Sequence, residues 1–269
     1  MGSIPGGYMG AMATGARTGD VVVVGAPRSG TSLVAQLLRG AGLHPGDHLL
    51  PPTEANPAGF VEDIEVSRLN DELLADAAVG THAGGVPSLR FAWLAVLAAD
   101  RAVRARSDQS ARMANLLPRA PAVIKDPRFA YTLDAWRPAL RPGTSFVAVV
   151  RDPAEVAVSL TAMVGRDPAY YGSFAVTLDR ALALWEAVNR RLLDLMENGR
   201  WVVVDHSSLL TGRACATLGA VIARPVDVGV VDPSLHRSRP GVPVPPALAE
   251  LHQRLRRRAE DDERRFSDG

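Results

Sequence analysis

The chain of 269 residues has almost no cysteine and almost no lysine: Cys215 is its only thiol, and Lys125 is the only lysine among 30 basic residues. One thiol excludes an internal disulfide framework and fits a reducing compartment, so the expected location is the cytoplasm. No apolar run is long enough to cross a bilayer. Residues 1–19, MGSIPGGYMGAMATGARTG, lack the basic start and continuous apolar stretch of a secretory signal and read as a flexible leader. A net charge of +1 supplies no basic field, so no nucleic-acid partner is expected. No internal repeat is visible. The composition is globular, with 47% hydrophobic and 22% charged residues, and residues 20–269 suffice for one α/β domain with insertions. Heavy use of Arg and Ala points to a GC-rich bacterial genome.

The most informative stretch is Asp20 to Leu38, DVVVVGAPRSGTSLVAQLL. Four consecutive valines predict a strand buried on both faces, as in a parallel sheet. Gly25 to Ser32 then predicts a tight loop, and Leu33, Val34, Leu37 and Leu38 follow at helical spacing. A strand, a glycine-bounded loop and a helix N-terminus bring free backbone N–H groups and the positive end of the helix dipole to one point, an anion cradle. Ala26, Pro27, Arg28, Ser29, Gly30, Thr31 and Ser32 form it, and the arginine and three hydroxyls add side-chain donors. An ordinary βα turn would not explain those four residues beside two glycines. The expected ligand is a phosphate. Nucleotide hydrolases and kinases read G-x-x-x-x-G-K-[ST] here. Gly25 and Gly30 have that spacing, but Thr31 stands at the lysine. Without the group that bridges the β- and γ-phosphates, phosphoryl transfer from ATP is disfavoured.

Periodicity predicts helices over 30–41, 62–78, 132–140, 153–161, 174–198, 207–223 and 247–266, and one or two within 89–117. Further strands are expected at Ala122–Lys125, Ser145–Val150 and Trp201–Val204. The stretches 43–60, 79–88, 164–173 and 225–246 read as loops. Strands alternating with helices imply a three-layer α/β/α fold with a central parallel sheet, whose ligands sit at the carboxyl ends of the strands. Polar residues fall at those ends: Lys125 after Ile124, Arg151 after Val150, Asp205 and His206 after Val204. Together with the loop after Val24 they form a constellation. The lone lysine stands at one of these ends; its alternative role is a salt bridge to Asp126 or another acid.

Pro27-Arg28-Ser29-Gly30-Thr31-Ser32 resembles the 5′-phosphosulfate loop of sulfotransferases that use 3′-phosphoadenosine 5′-phosphosulfate (PAPS), with Arg for the more frequent Lys. Two further segments share the resemblance: VVRDPAEVAVS at 149–159 and NPAGFVE at 56–62. The resemblance implies a P-loop-type α/β fold. It implies transfer of a sulfuryl group from PAPS to a hydroxyl of a natural product, sugar or lipid, with adenosine 3′,5′-bisphosphate (PAP) as product and no metal. Arg151 and Ser159 then bind the 3′-phosphate, and Lys125 and Arg28 stabilise the leaving phosphate oxygen. Lysine suits that role as a compact, mobile point charge. Pro127 stands where cytosolic members carry a catalytic histidine. The base therefore falls to Glu62, as in carbohydrate sulfotransferases, with Asp63, His48 and His44 in reserve; partial burial would raise its pKa toward neutrality. The alternative for Glu62 is an acid at a helix N-terminus. His206 falls where the family has a tyrosine near adenine, and Ser208 where it has an aspartate. Arg237 or Arg239 matches the arginine that closes over the 3′-phosphate. Helical segments at about 43–118 and 164–198 form the acceptor side, where Trp93, Tyr170 and Tyr171 line an aromatic pocket or belong to the core. The rival readings are an aberrant P-loop kinase or ATPase with Asp205 as its Walker B acid, and a non-catalytic nucleotide-binding protein.

Overall fold

Four strands, β1 (Val21–Gly25), β2 (Val123–Lys125), β3 (Ser145–Val150) and β4 (Arg200–Asp205), form one parallel sheet in the order β2-β1-β3-β4. The structure is a computed structural model and describes residues 19–52, 59–78, 89–166, 171, 175–231 and 242–267. Val21, Val22 and Val23 stand opposite Val123, Ile124 and Lys125 on one side of β1, and Val21 to Gly25 stand opposite Ser145 to Val149 on the other. On β3, Val149 and Val150 face Val204 and Asp205. Every neighbouring pair is parallel, so each connection crosses over a face, and the connecting segments carry helices.

The helices are α1 (Thr31–Gly40), α2 (Ile64–Ala78), α3 (Ser107–Leu116), α4 (Phe129–Trp136), α5 (Pro153–Arg166), α6 (Leu178–Leu195), α7 (His206–Leu210), α8 (Ala214–Ile222) and α9 (Pro246–Ser267). The valine run of β1 is divided between two cores. Val22 and Val24 join a cluster with side chains of α2, α4, α5, α6 and α9, whereas Val21 and Val23 join one with α1 and α8. All four valines are at most 1% exposed. Each contributes about 1.5–3 kcal/mol of burial. The expected three-layer α/β/α arrangement is therefore observed. From β1 the chain goes to β2 on one side, then returns past β1 to β3 on the other. The switch in direction opens a crevice at the carboxyl ends of β1 and β3.

Several boundaries differ from the sequence reading, each for a local reason. α2 begins at Ile64, not at residue 62, because Asp63 caps it: its Oδ1 accepts from the N–H groups of Glu65 (2.9 Å) and Val66 (3.3 Å). The helix expected over 132–140 is α4, followed by a 3-10 turn at Arg137–Ala139, since Pro138 cannot continue an α-helix. The segment 207–223 is split into α7 and α8 around Gly212, which has φ +76°. Within 89–117 there is a 3-10 turn at Leu89–Leu94 and then α3, with residues 95–106 non-helical between them. α6 starts at Leu178, capped by Thr177, whose Oγ1 accepts from Arg180 N–H at 3.2 Å.

Candidate functional site

Steric necessity shapes the turn after β1. A Cβ on Gly25 would lie 2.6 Å from the Val149 carbonyl oxygen, and one on Gly30 would lie 2.8 Å from Cδ2 of His206. Gly30 has φ +100°, and Arg28 is left-handed as well, at φ +70°. Ser29 N–H closes the turn on the Ala26 carbonyl at 3.0 Å. Thr31 then begins α1, so the first N–H groups of that helix open toward the loop. Ser29 Oγ is fully buried and has no hydrogen-bond partner among the described residues. A buried hydroxyl left unpaired costs about 1–3 kcal/mol, and an anion in the cradle would relieve it. Its chemistry fits a phosphate group. The buried His206, at the start of α7, packs on the loop at Gly30.

Arg151, Ser159 and Arg28 meet at the β3 side of this crevice. Asp152 caps α5, its Oδ1 accepting from Ala154 N–H (2.9 Å) and Glu155 N–H (3.1 Å), with Pro153 in the first turn. This helix carries Ser159 to Arg28, whose Nε donates to Ser159 Oγ at 3.1 Å. Arg151 Nη1 donates to the Arg28 carbonyl at 3.0 Å, and its Nε to Glu155 Oε2 at 2.8 Å. Among the described residues no carboxylate pairs with Arg28, whose pKa is lowered first by burial and then by the Arg151 charge. A half-buried and a buried guanidinium in contact, with one carboxylate paired to Arg151, favour an incoming anion.

Lys125 ends β2, on the other side of β1. Its Nζ donates to Ser32 Oγ at 3.1 Å and to Glu62 Oε1, so it ties the glycine-bounded loop to Glu62. The Lys125 and Glu62 side chains are 2% and 9% exposed. Glu62 is thus not a first-turn helix acid: it precedes α2 and turns inward. Val61, just before it, has φ +55°. A β-branched residue in that region is a genuine outlier, and such strain concentrates at functional sites. Burial raises the Glu62 pKa, opposed by the Lys125 charge. Desolvating two ions consumes most of what their attraction returns, so a buried pair is a poor reason for stability. The pair stands at the carboxyl end of β2, in contact with the loop after β1 through Ser32.

Asp126, the neighbour of Lys125 in sequence, pairs instead with Arg128, whose Nη1 lies 3.1 Å from both carboxylate oxygens. Arg128 Nε also donates to Asp71 Oδ1 on α2 at 2.5 Å. Arg128 is legible only as part of the Lys-Asp-Pro-Arg run. Two more contributors were hidden in apolar stripes. Trp185 Nε1 donates to the Arg151 carbonyl at 3.0 Å, and His252 packs edge-on against Trp185 with its Nδ1 3.8 Å from Asp152.

The remaining candidates are dispersed. Asp63 caps α2, and His44 Nδ1 accepts from Gly46 N–H at 3.2 Å. His48 meets Asp63 through its backbone N–H at 3.4 Å. Asp205 caps α7, accepting from Ser207 N–H at 2.9 Å, and Ser208 Oγ donates back to the Asp205 carbonyl. Tyr171 is buried and stacks on Phe91 with ring centroids 5.5 Å apart, and Trp93 packs half-buried against the core. Arg237, Arg239, Tyr170 and residues 56–58 of the NPAGFVE segment lie outside the described residues. Among the described residues no cluster of His, Cys, Asp and Glu could hold a metal ion, and no helix is long and apolar enough to cross a membrane.

A family model described as "Sulfotransferase family" matches residues 20–213. No curated protein matches the chain significantly. Similar solved structures include the sulfotransferase domain from the curacin biosynthetic pathway, 16% identical with a TM-score of 0.49, over 91% of this chain and 99% of that one. The sulfotransferase domain of the Synechococcus PCC 7002 olefin synthase is also 16% identical, with a TM-score of 0.46 over 92% and 96%. A Mycobacterium tuberculosis H37Rv sulfotransferase is 15% identical, with a TM-score of 0.41 over 91% and 77%.

Proposed function

The chain belongs to the sulfotransferase family, and from that premise we propose that it transfers a sulfuryl group from PAPS to a hydroxyl of a small-molecule acceptor, in the cytoplasm. The observation that carries the donor assignment is the pair of guanidiniums beside the glycine-bounded loop: half-buried Arg28, bonded to Ser159, and buried Arg151, bonded to the Arg28 carbonyl. When bound, PAPS would supply the sulfuryl group, which passes to the acceptor oxygen while the 5′-phosphate of PAP departs as the leaving group. Ala26 to Ser32 hold the phosphosulfate through backbone N–H groups and hydroxyls. Arg151 and Ser159 hold the 3′-phosphate, with Arg237 or Arg239 as a further contact, and His206 lies toward the adenosine. Lys125, with Arg28, places positive charge where the leaving phosphate oxygen gains negative charge. Glu62 takes the proton of the acceptor hydroxyl. Residues 20–269 act as one unit, and the segments 43–118 and 164–198 present the acceptor, a natural product, sugar or lipid.

Calorimetric titration with PAP, 5′-AMP and ATP–Mg tests the donor. PAP is expected to bind tightly and AMP at least about tenfold more weakly, since only PAP offers the 3′-phosphate to Arg151. ATP–Mg binding as tightly as PAP would overturn the assignment.

The base has its own signature. Glu62 accepts a proton only when ionised, and burial holds its pKa above the ordinary carboxylate range. Activity should therefore rise with pH through an acid limb displaced above that range. Glu62→Gln should remove the limb and lower kcat by about 100- to 10,000-fold. PAP release, followed across pH with a panel of phenols and sugars as acceptors, reads both effects. A fully active Glu62→Gln would pass the role to Asp63, His48 or His44.

A further inference from the structure

Lys125 and Glu62 belong to a larger buried charge set. The Asp126 carboxylate, fully buried, accepts from Ser67 Oγ at 2.7 Å, from Arg128 N–H at 2.8 Å and from Arg128 Nη1 at 3.1 Å. Arg128, 7% exposed, reaches from there to Asp71 on α2. The set holds three carboxylates, Glu62, Asp71 and Asp126, against two cations, Lys125 and Arg128. Fully ionised, it carries one negative charge in excess. An acid adjacent in sequence is a ready partner for a buried ammonium, yet Lys125 turns to Glu62, 63 residues away, and to Ser32.

We infer that Arg128 is a positioning residue: by gripping Asp126 and Asp71 together it reserves Lys125 for Glu62 and the phosphate loop, and supplies the positive charge that lets Glu62 ionise. The inference rests on the roles of Lys125 and Glu62 proposed above. A guanidinium suits the task because its planar fork presents donors to two carboxylates at once, which a lysine ammonium on a single stem does not match. The groups acting on Glu62 have opposed signs. Burial and Asp126 favour its protonated form, and Lys125 and Arg128 its ionised form. Loss of Arg128 removes one favourable cation and leaves Asp126 to draw Lys125 away, so both consequences push Glu62 toward protonation. Loss of Asp71 acts in the opposite direction, because the Asp71 and Glu62 charges repel.

Carbon-13 NMR titration of protein labelled at the glutamate carboxyl carbon tests this directly, with the Glu62 signal identified by its loss in Glu62→Gln. Arg128→Gln should raise the Glu62 midpoint by about one pH unit or more. Asp71→Asn should lower it, and Arg128→Lys, which keeps the charge without the fork, should fall between wild type and Arg128→Gln. Adding Asp126→Asn to Arg128→Gln restores the charge balance and removes the competitor for Lys125, so the midpoint should return toward wild type. A purely structural Arg128 would give no such recovery. An unmoved midpoint in Arg128→Gln, or no recovery in the double variant, overturns the inference. If Arg128→Gln fails to fold, Asp71→Asn decides: its substituted side chain is partly exposed, and a midpoint that does not fall overturns the inference. Calorimetry with PAP on the wild-type protein separates the two questions. Absent PAP binding would fell the donor assignment while the titration still judges the charge set.

Discussion

Lys125→Ala is expected to lower kcat by about 100- to 1000-fold while leaving PAP affinity within a few-fold of wild type. Two losses combine in this one substitution. The ammonium that stands between Ser32 of the glycine-bounded loop and Glu62 disappears. Glu62, already shifted toward protonation by burial, also loses the cation that most favours its charge. On the roles proposed above, affinity for PAP rests chiefly on Arg151, Ser159 and the loop N–H groups, and Lys125 touches the loop only at the Ser32 hydroxyl. Removing one partner of a buried pair costs about 3–5 kcal/mol of stability, so thermal melts should accompany the kinetics. Lys125→Arg should also be impaired despite keeping the charge, because a flat guanidinium must fit a space 2% exposed that now holds a slim ammonium stem. Steady-state kcat and calorimetric Kd for PAP separate the effects. A wild-type kcat in Lys125→Ala would remove Lys125 from the mechanism.

Arg151→Ala should produce the complementary result: PAP binding weakened by about 10- to 150-fold, the range given by about 1.5–3 kcal/mol for a hydrogen bond to a charged group. The decisive comparison is with 5′-AMP, which lacks the 3′-phosphate. Among the described residues the Arg151 side chain makes two hydrogen bonds, to Glu155 Oε2 and to the Arg28 carbonyl. If its role is recognition of the 3′-phosphate, AMP affinity stays near wild type and the preference for PAP collapses. If it acts only by holding Arg28 in its left-handed conformation, PAP and AMP weaken together. Unaltered PAP affinity would undo the 3′-phosphate assignment.

The difference between the two sides of the site explains what could be read in advance. β1 was legible because a strand buried on both faces needs an unbroken apolar run, and Val21 to Val24 supply one. The loop after it was legible because Gly25 and Gly30 are demanded by clashes with Val149 and His206 that no other residue avoids. Arg151 and Lys125 could be placed at the same end of the sheet from alternation alone, since parallel strands all point their carboxyl ends one way. Helix limits were read less well. Asp63 shifts the start of α2 to Ile64, and Gly212 divides α7 from α8, because a single cap or a single positive φ overrides the periodicity around it.

The sequence by itself determined the layers of the fold, the glycine-bounded turn after β1 and the strand ends at which polar residues gather, because hydrophobic period and steric demand are local properties written within a few residues. Only the tertiary structure decided who partners whom. Lys125 stands next to Asp126 in the chain but pairs with Glu62, because Ser67 from α2 and Arg128 from the following turn have already claimed Asp126. Arg28 reaches Ser159 across 131 residues, and Trp185 reaches the Arg151 carbonyl across 34. Charge pairing in a buried site is settled by competition among groups from several elements, and that competition exists only once β2, α2 and α5 are packed against one another.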